Sequence, residues 1–152
     1  MRTIQMIGFG IAMMTLGAIG GCAHKQDAGA ETASAGGTDA KAQAARGGQL
    51  YGQYCAKCHG DAGQGTNEGP PVVGKAALPL DPPATAKYRK TQFRTARDVH
   101  EFVKTSMPAK APASLKEDEY LDIMAFDLQA NGVDLTGKTI TPDSLSEIVL
   151  HP

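Results

Sequence analysis

The chain has 152 residues, with 15 lysines and arginines against 16 aspartates and glutamates, and a formal net charge of −1. A net charge so close to zero gives no electrostatic reason to expect a nucleic-acid partner. Without a targeting segment the length suffices for one small domain and not two, and its core would be thin because only 5% of the residues are aromatic.

Residues 1–21 predict a signal peptide. Arg2 supplies a short positive region, and residues 6–19 form an apolar stretch that leads to Cys22. The pattern resembles a bacterial lipoprotein signal, in which Cys22 becomes the first mature residue and carries acyl chains. Ordinary cleavage after Ala23 is the alternative, because the residues around Cys22 also have small-x-small spacing. The stretch of about 14 residues is too short for a membrane-spanning helix, which needs roughly 20.

Residues 22–46 predict a flexible linker, and residues 47–152 predict the folded domain. From Ala23 to about Arg46 the chain is rich in Ala, Gly, Ser, Thr and Asp, and it shows no apolar periodicity. A flexible segment of this length has a root-mean-square span of roughly 25–30 Å. The linker would therefore hold the domain away from a membrane surface while the lipid on Cys22 anchors it.

Residues 55–59 form a C-x-x-C-H motif, which is the attachment signal for a c-type haem. Thiols at Cys55 and Cys58 can add to the two vinyl groups of one porphyrin, and His59 then offers an imidazole nitrogen to the iron. A redox cysteine pair, a structural disulfide and a zinc half-site are the alternatives. Zinc needs further ligands, and no cysteine follows Cys58. A buried porphyrin would also enlarge the core.

Three helices are predicted in the domain, and no segment alternates in the way a strand would. The first covers residues 43–57 and leads into the motif, and two glycines within it, Gly47 and Gly48, suggest a close packing contact. The second covers residues 96–105 behind a Thr95–Asp98 capping box. The third covers residues 117–130, with acids in its first turn. A short final helix is predicted to start near Thr141-Pro142.

From about residue 45 to residue 131 the chain resembles a class I cytochrome c with a single haem. Gly47 and Tyr51 match the glycine and the aromatic residue of that family's N-terminal helix, and Phe126 matches the aromatic residue of its C-terminal helix. The resemblance implies an all-α cytochrome c fold in which three main helices and long loops surround one covalently attached haem c. It also implies that the first and last of these helices cross in contact. Asp127 departs from the family, which has an apolar residue there.

Two further motifs carry the resemblance and imply roles at the haem. Gly69-Pro70 matches the family's Gly-Pro, whose proline carbonyl accepts a hydrogen bond from the axial histidine. Ser106-Met107-Pro108 matches the family's Met-Pro, whose thioether is the sixth iron ligand. The other candidates fit less well: Met124 lies in an apolar helix stripe, His100 is expected at the surface, and disorder is expected for His24 and His151.

Ligation by His59 and Met107 would leave no open position on the iron and would raise its reduction potential. Such a haem transfers electrons and catalyses no bond chemistry. The predicted protein is therefore a membrane-tethered carrier on the periplasmic side of a bacterial membrane, or the electron-transfer subunit of a respiratory or dehydrogenase complex. Ala23, after the lipidated cysteine, favours the outer membrane. A haem enzyme with a labile distal site, such as a peroxidase or a sulfur-compound oxidoreductase, is the alternative.

Charge along the chain is uneven. Residues 87–110, the basic segment, lead into the loop that carries Met107, whereas acids predominate from Ala111 onward. This distribution predicts a redox partner protein with an acidic docking face, and a merely solvated charged surface is the alternative. The basic residues of the segment are Lys87, Arg89, Lys90, Arg94, Arg97, Lys104 and Lys110.

Overall fold

The structure is a computed structural model, and it describes residues 38–151. The predicted signal peptide (residues 1–21), the lipidation site Cys22, His24 and the linker up to residue 37 lie outside the described residues. The described part contains five helices: α1 (Ala40–Tyr54), α2 (Ala56–His59), α3 (Ala96–Ser106), α4 (Glu117–Ala130) and α5 (Ser144–Glu147). Between residues 38 and 151 the only β pairing is an isolated antiparallel bridge of Thr95 with Val149, so the predicted all-α class is confirmed.

The predicted helices occur with small shifts at their ends. α1 begins at Ala40, three residues before the prediction, because Asp39 caps it by accepting a 3.0 Å hydrogen bond from the Ala42 N–H. The end of the predicted linker, residues 40–46, is therefore helical. Asp98 caps α3 through the Thr95 N–H at 2.7 Å. α4 has the predicted bounds, and α5 starts at Ser144, just after Thr141.

α1 and α4 pack against each other at the glycines. A Cβ atom on Gly47 would lie 1.9 Å from the backbone oxygen of Asp122, so only glycine allows this approach. One turn later the rings of Tyr51 and Phe126 pack with centroids 5.1 Å apart. The contact between the first and last main helices, which the resemblance implied, is thus present, with the predicted residues at its centre.

The core lies between α1, α3, α4 and the C-terminal tail. Met124 is fully buried, so its predicted core role is confirmed. His100 was predicted at the surface, and this prediction is wrong: it is only 4% exposed, because it shares one face of α3 with Ala96 and Val99. Other buried members of the core are Phe93, Leu128, Ile140 and Leu145.

The C-terminal tail (residues 131–151) fastens three parts of the fold together. The amide of Gln43 in α1 exchanges two hydrogen bonds with the backbone of Ile140. Further along, the Ala96 N–H donates to the Ile148 carbonyl at 2.9 Å. The His151 ring nitrogen Nε2 lies 2.8 Å from the Leu78 carbonyl oxygen, so the expected disorder of His151 is not seen.

No helix among residues 38–151 combines the length and the apolar character needed to cross a membrane.

Candidate cofactor site

The C-x-x-C-H motif forms one tight helical turn. α1 ends at Tyr54, and Cys55 accepts hydrogen bonds from the N–H groups of Cys58 and His59 at 3.1 and 3.0 Å. Residues three and four apart on a helix share one face, so this turn presents both thiols and the imidazole to the same side. Gly60 ends it with φ +85°, a value that favours glycine.

The His59 ring is fixed by a hydrogen bond to the backbone. Its Nδ1 lies 2.8 Å from the Pro70 carbonyl oxygen, which can only accept, so Nδ1 carries the proton. The unprotonated Nε2 is then the nitrogen with a lone pair for a metal. This contact is the one that the resemblance implies for the axial histidine.

The loop between His59 and Pro70 is shaped for this contact. A Cβ on Gly69 would lie 2.9 Å from the Cys58 carbonyl oxygen and 3.2 Å from the His59 ring, so glycine permits the close approach. The Thr66 hydroxyl donates to the Cys58 carbonyl at 2.5 Å, and the Gly65 N–H donates to the His59 carbonyl at 2.7 Å. The loop after the motif thus binds both the His59 ring and the backbone carbonyls of Cys58 and His59.

The Cys55 thiol does not have the character of a redox-active cysteine. Both cysteines are free and half-buried. Burial, with a smaller contribution from the charge of Asp127, raises the pKa of Cys55 to about 12. A reactive dithiol needs a lowered pKa, so this environment argues against thiol exchange. Residues 38–151 contain no cluster of three or more His, Cys, Asp or Glu side chains that could hold a metal ion.

Met107 lies where α3 ends, and its backbone is held from α4. The Met107 N–H donates to the Val103 carbonyl at 2.9 Å, and the Met107 carbonyl accepts a hydrogen bond from the Tyr120 hydroxyl at 2.9 Å. Tyr120 is buried, and its hydroxyl also lies 3.5 Å from the Leu115 N–H. Tyr120 therefore ties both ends of the loop 107–115 to α4.

Tyr120 lies in the helix predicted over residues 117–130, but the sequence alone did not predict this role for it. The Tyr120 hydroxyl could have indicated this role, because a buried tyrosine hydroxyl usually has a hydrogen-bond partner. The same reasoning missed Glu68, whose carboxylate lies 3.4 Å from the Cys58 sulfur. No pattern in the sequence indicates that contact.

A small polar cluster joins α3 to the start of α4. His100 Nε2 lies 3.3 Å from a Glu117 carboxylate oxygen without hydrogen-bond geometry, and Lys104 forms an ion pair with the other oxygen. Burial lowers the pKa of His100, while the charge of Glu117 acts in the opposite direction. The neutral imidazole is therefore favoured, and the cluster braces the two helices that flank the Met107 loop.

Comparison with known proteins gives one family and one solved structure. The family described as cytochrome c oxidase, cbb3-type, subunit III, matches residues 42–126, a span that includes the C-x-x-C-H motif, Pro70 and Met107. The crystal structure of the sulfane dehydrogenase SoxCD from Paracoccus pantotrophus matches with a TM-score of 0.55 and 26% identity. That match covers 74% of this chain but only 58% of the SoxCD chain. No curated protein sequence matches.

Proposed function

Because the chain belongs to the family of cytochrome c oxidase, cbb3-type, subunit III, we propose that it is an electron carrier with one covalently bound haem c. Its domain is a c-type cytochrome domain, and electron transfer is the function of such domains. In the proposal Cys55 and Cys58 form the thioether bonds, while His59 and Met107 are the axial ligands.

The observation that carries this proposal is the hydrogen bond from His59 Nδ1 to the Pro70 carbonyl. It selects the tautomer that a metal-ligating histidine needs and directs the lone pair of Nε2 away from the backbone. The haem, when bound, supplies the one-electron couple of its iron. The chain supplies the covalent attachment, the ring orientation and, through Tyr120, a fixed position for the Met107 backbone.

The attachment is tested by extraction. Denaturing the mature protein in acid and partitioning it against an organic solvent should leave all of the haem with the polypeptide, because thioether bonds survive unfolding whereas ligand bonds to iron do not. The Cys55→Ala, Cys58→Ala double variant is the control, and it should release any haem it binds. Haem that leaves the wild-type chain under the same conditions would refute covalent attachment.

The likeness to a chain of a sulfane dehydrogenase supports a role as the electron-transfer subunit of an oxidoreductase complex. In that role the carrier receives electrons from a catalytic partner and passes them on. A sixth ligand from Met107 suits this division of labour, because it leaves the iron no position for a substrate. Co-purification from native membranes, followed by identification of the bound proteins, tests the partnership.

We further propose that the redox partner docks near the Met107 loop through an acidic face. Lys87, Lys90 and Lys110 are exposed residues of the basic segment. Two other members contribute less than their charge suggests, because Arg89 is buried against the Phe93 ring and Lys104 is paired with Glu117. The basic docking surface is thus smaller than the sequence alone suggests. Because the surface is small, we expect the complex with the redox partner to be transient.

Charge reversal tests this docking surface. Lys90→Glu with Lys110→Glu should slow electron transfer to the partner by about tenfold at low salt and have little effect at high salt, because salt screens charges beyond roughly 10 Å at 0.1 M. Stopped-flow mixing over a range of ionic strength measures the rate. Lys41→Glu with Lys138→Glu is the matched control, since it changes the net charge equally at a separate cavity beside the tail. Equal slowing by both pairs, or no salt dependence, would contradict the proposal.

The proposed location is the periplasmic side of a bacterial membrane, with lipid on Cys22 as the anchor. The support is the signal pattern of residues 1–22 and the fact that stable anchoring takes more than one acyl chain, as lipoprotein processing provides. Mass spectrometry of the mature N-terminal peptide distinguishes acylated Cys22 from an unmodified chain that begins at His24.

A further inference from the structure

Asp127 is a buried carboxyl group with no role in the site described above. Its residue exposure is 5%, and within residues 38–151 no hydrogen bond reaches its Oδ1 atom. An ionised carboxylate in such a place is costly unless it is paired, so the group responds by holding a proton. Nothing in the packing of α4 requires this residue, because an apolar side chain of similar size would avoid the cost.

The helix crossing places Asp127 beside the cofactor motif. Along the contact of α1 with α4, Gly47 meets Asp122 and Tyr51 then meets Phe126. Asp127 follows Phe126 on α4, and its charge acts on Tyr51 and on Cys55, which follows Tyr51 by one helical turn. In keeping with this, the pKa of Cys55 is raised first by burial and next by the charge of Asp127.

Few charged groups near Asp127 influence its protonation. Burial raises the pKa of this carboxyl to about 7, well above the usual value of an aspartate. On α1 the titratable groups next to it are Tyr51 and Cys55, whereas Arg46 forms a 2.7 Å ion pair with Asp122. On α3 the buried group is His100, whose charge environment is Glu117, Lys104, Glu101 and Arg97.

We propose that Asp127 binds a proton when the haem on Cys55 is reduced and releases it on oxidation, so that the domain carries a proton together with an electron. The inference rests on the proposed function. A redox partner supplies one electron, which converts ferric to ferrous iron, and water supplies one proton, which forms an O–H bond on Asp127. Transfer of the electron to the acceptor reverses both changes.

The direction of the coupling between reduction and proton binding follows from electrostatics. Reduction removes one positive charge close to Asp127, and this raises the proton affinity of the carboxyl group. The reduced protein therefore holds more protons than the oxidised protein at neutral pH, and the reduction potential falls as pH rises. If the pKa of Asp127 differs by about one unit between the two oxidation states, the reduction equilibrium constant changes by roughly tenfold across the transition.

The test is a series of redox titrations of the holoprotein, monitored by visible absorbance, at pH values between about 5.5 and 8.5. This range brackets the titration of a buried carboxyl group whose pKa is near neutral. We expect the equilibrium constant of the wild type to fall by about tenfold, or about 59 mV for one electron, and that of Asp127→Asn to fall by less than about twofold. Asp118→Asn, on an exposed position of the same helix, should behave as the wild type. Equal pH dependence in Asp127→Asn and wild type would overturn the proposal.

A second measurement uses only the wild type and therefore still tests the proposal if Asp127→Asn does not yield folded holoprotein. Oxidation of the reduced wild type in unbuffered solution at about pH 7 should release on the order of half a proton per haem, read with an indicator dye. Release below about a tenth of a proton would overturn the coupling. Failure of the proposed function looks different, because a chain that is not a haem electron carrier shows no reversible one-electron titration at any pH.

Discussion

Met107→Ala should lower the reduction potential by on the order of 0.2 V, a fraction of the ~0.8 V range over which axial ligands set haem potentials. The thioether of methionine stabilises ferrous iron, and its loss leaves either a five-coordinate iron or a water ligand. The ferric spectrum should change from low spin to high spin, and added small ligands should bind at neutral pH. Potentiometry and optical titration with an exogenous ligand measure both effects.

Met124→Leu is the matched control for this experiment. Met124 is fully buried in the core, and leucine has nearly the same volume, so the cost to stability should stay below about 1.5 kcal/mol. Its potential and spectrum should remain those of the wild type. If Met107→Ala left both unchanged, another residue would be the sixth ligand, and the closed-site argument for an electron carrier would lose its main support.

Gly47→Ala should destabilise the domain by about 3 kcal/mol or more, the upper end of overpacking costs. The added Cβ would fall 1.9 Å from the Asp122 carbonyl oxygen, which is backbone and cannot rotate away. Separation of α1 from α4 would be the relief, and it would disturb the turn that bears Cys55. Chemical denaturation, with the holoprotein compared at equal concentration, measures the loss of unfolding free energy.

Two other glycines of α1 provide an internal series for comparison. At Gly52 no atom lies within 4 Å of a new Cβ, so Gly52→Ala should stabilise the helix by about 0.5–1 kcal/mol. At Gly48 the nearest atom is on the Phe126 ring at 3.3 Å, and that side chain can shift, so the effect should lie between the other two. A similar response at all three positions would mean that the crossing does not depend on close backbone approach.

Local signals in the sequence predicted the helices well because each has a physical start or stop. The acids of the α4 first turn and the Thr95–Asp98 cap act within one turn of the chain, so they are readable without tertiary structure. The start of α1 was missed because Asp39 stands in a stretch of linker-like composition. Its capping hydrogen bond depends on one side chain and gives no periodic pattern.

Features that depend on tertiary contacts were predicted poorly. His100 looks like a surface residue from its polar neighbour Glu101, yet it is buried with Glu117 of α4 beside it, and no local pattern carries that information. Tyr120 is a similar case, since its role comes from the Met107 carbonyl at the end of α3. The contact of His59 with Pro70 was expected from the family motif and not from spacing, because the loop of residues 60–69 between them has no regular structure of its own.

The tail has a consequence for how the chain folds. The hydrogen bonds between Gln43 and Ile140 join residues 97 positions apart, and the Arg46–Asp122 ion pair spans 76 positions. Such contacts form only after a large loop has closed. Loop closure costs conformational entropy before the contacts can stabilise the fold. Although every element is a helix, we therefore expect this domain to fold more slowly than a helical bundle of the same length, with α1 docking only after residues near the end of the chain are available.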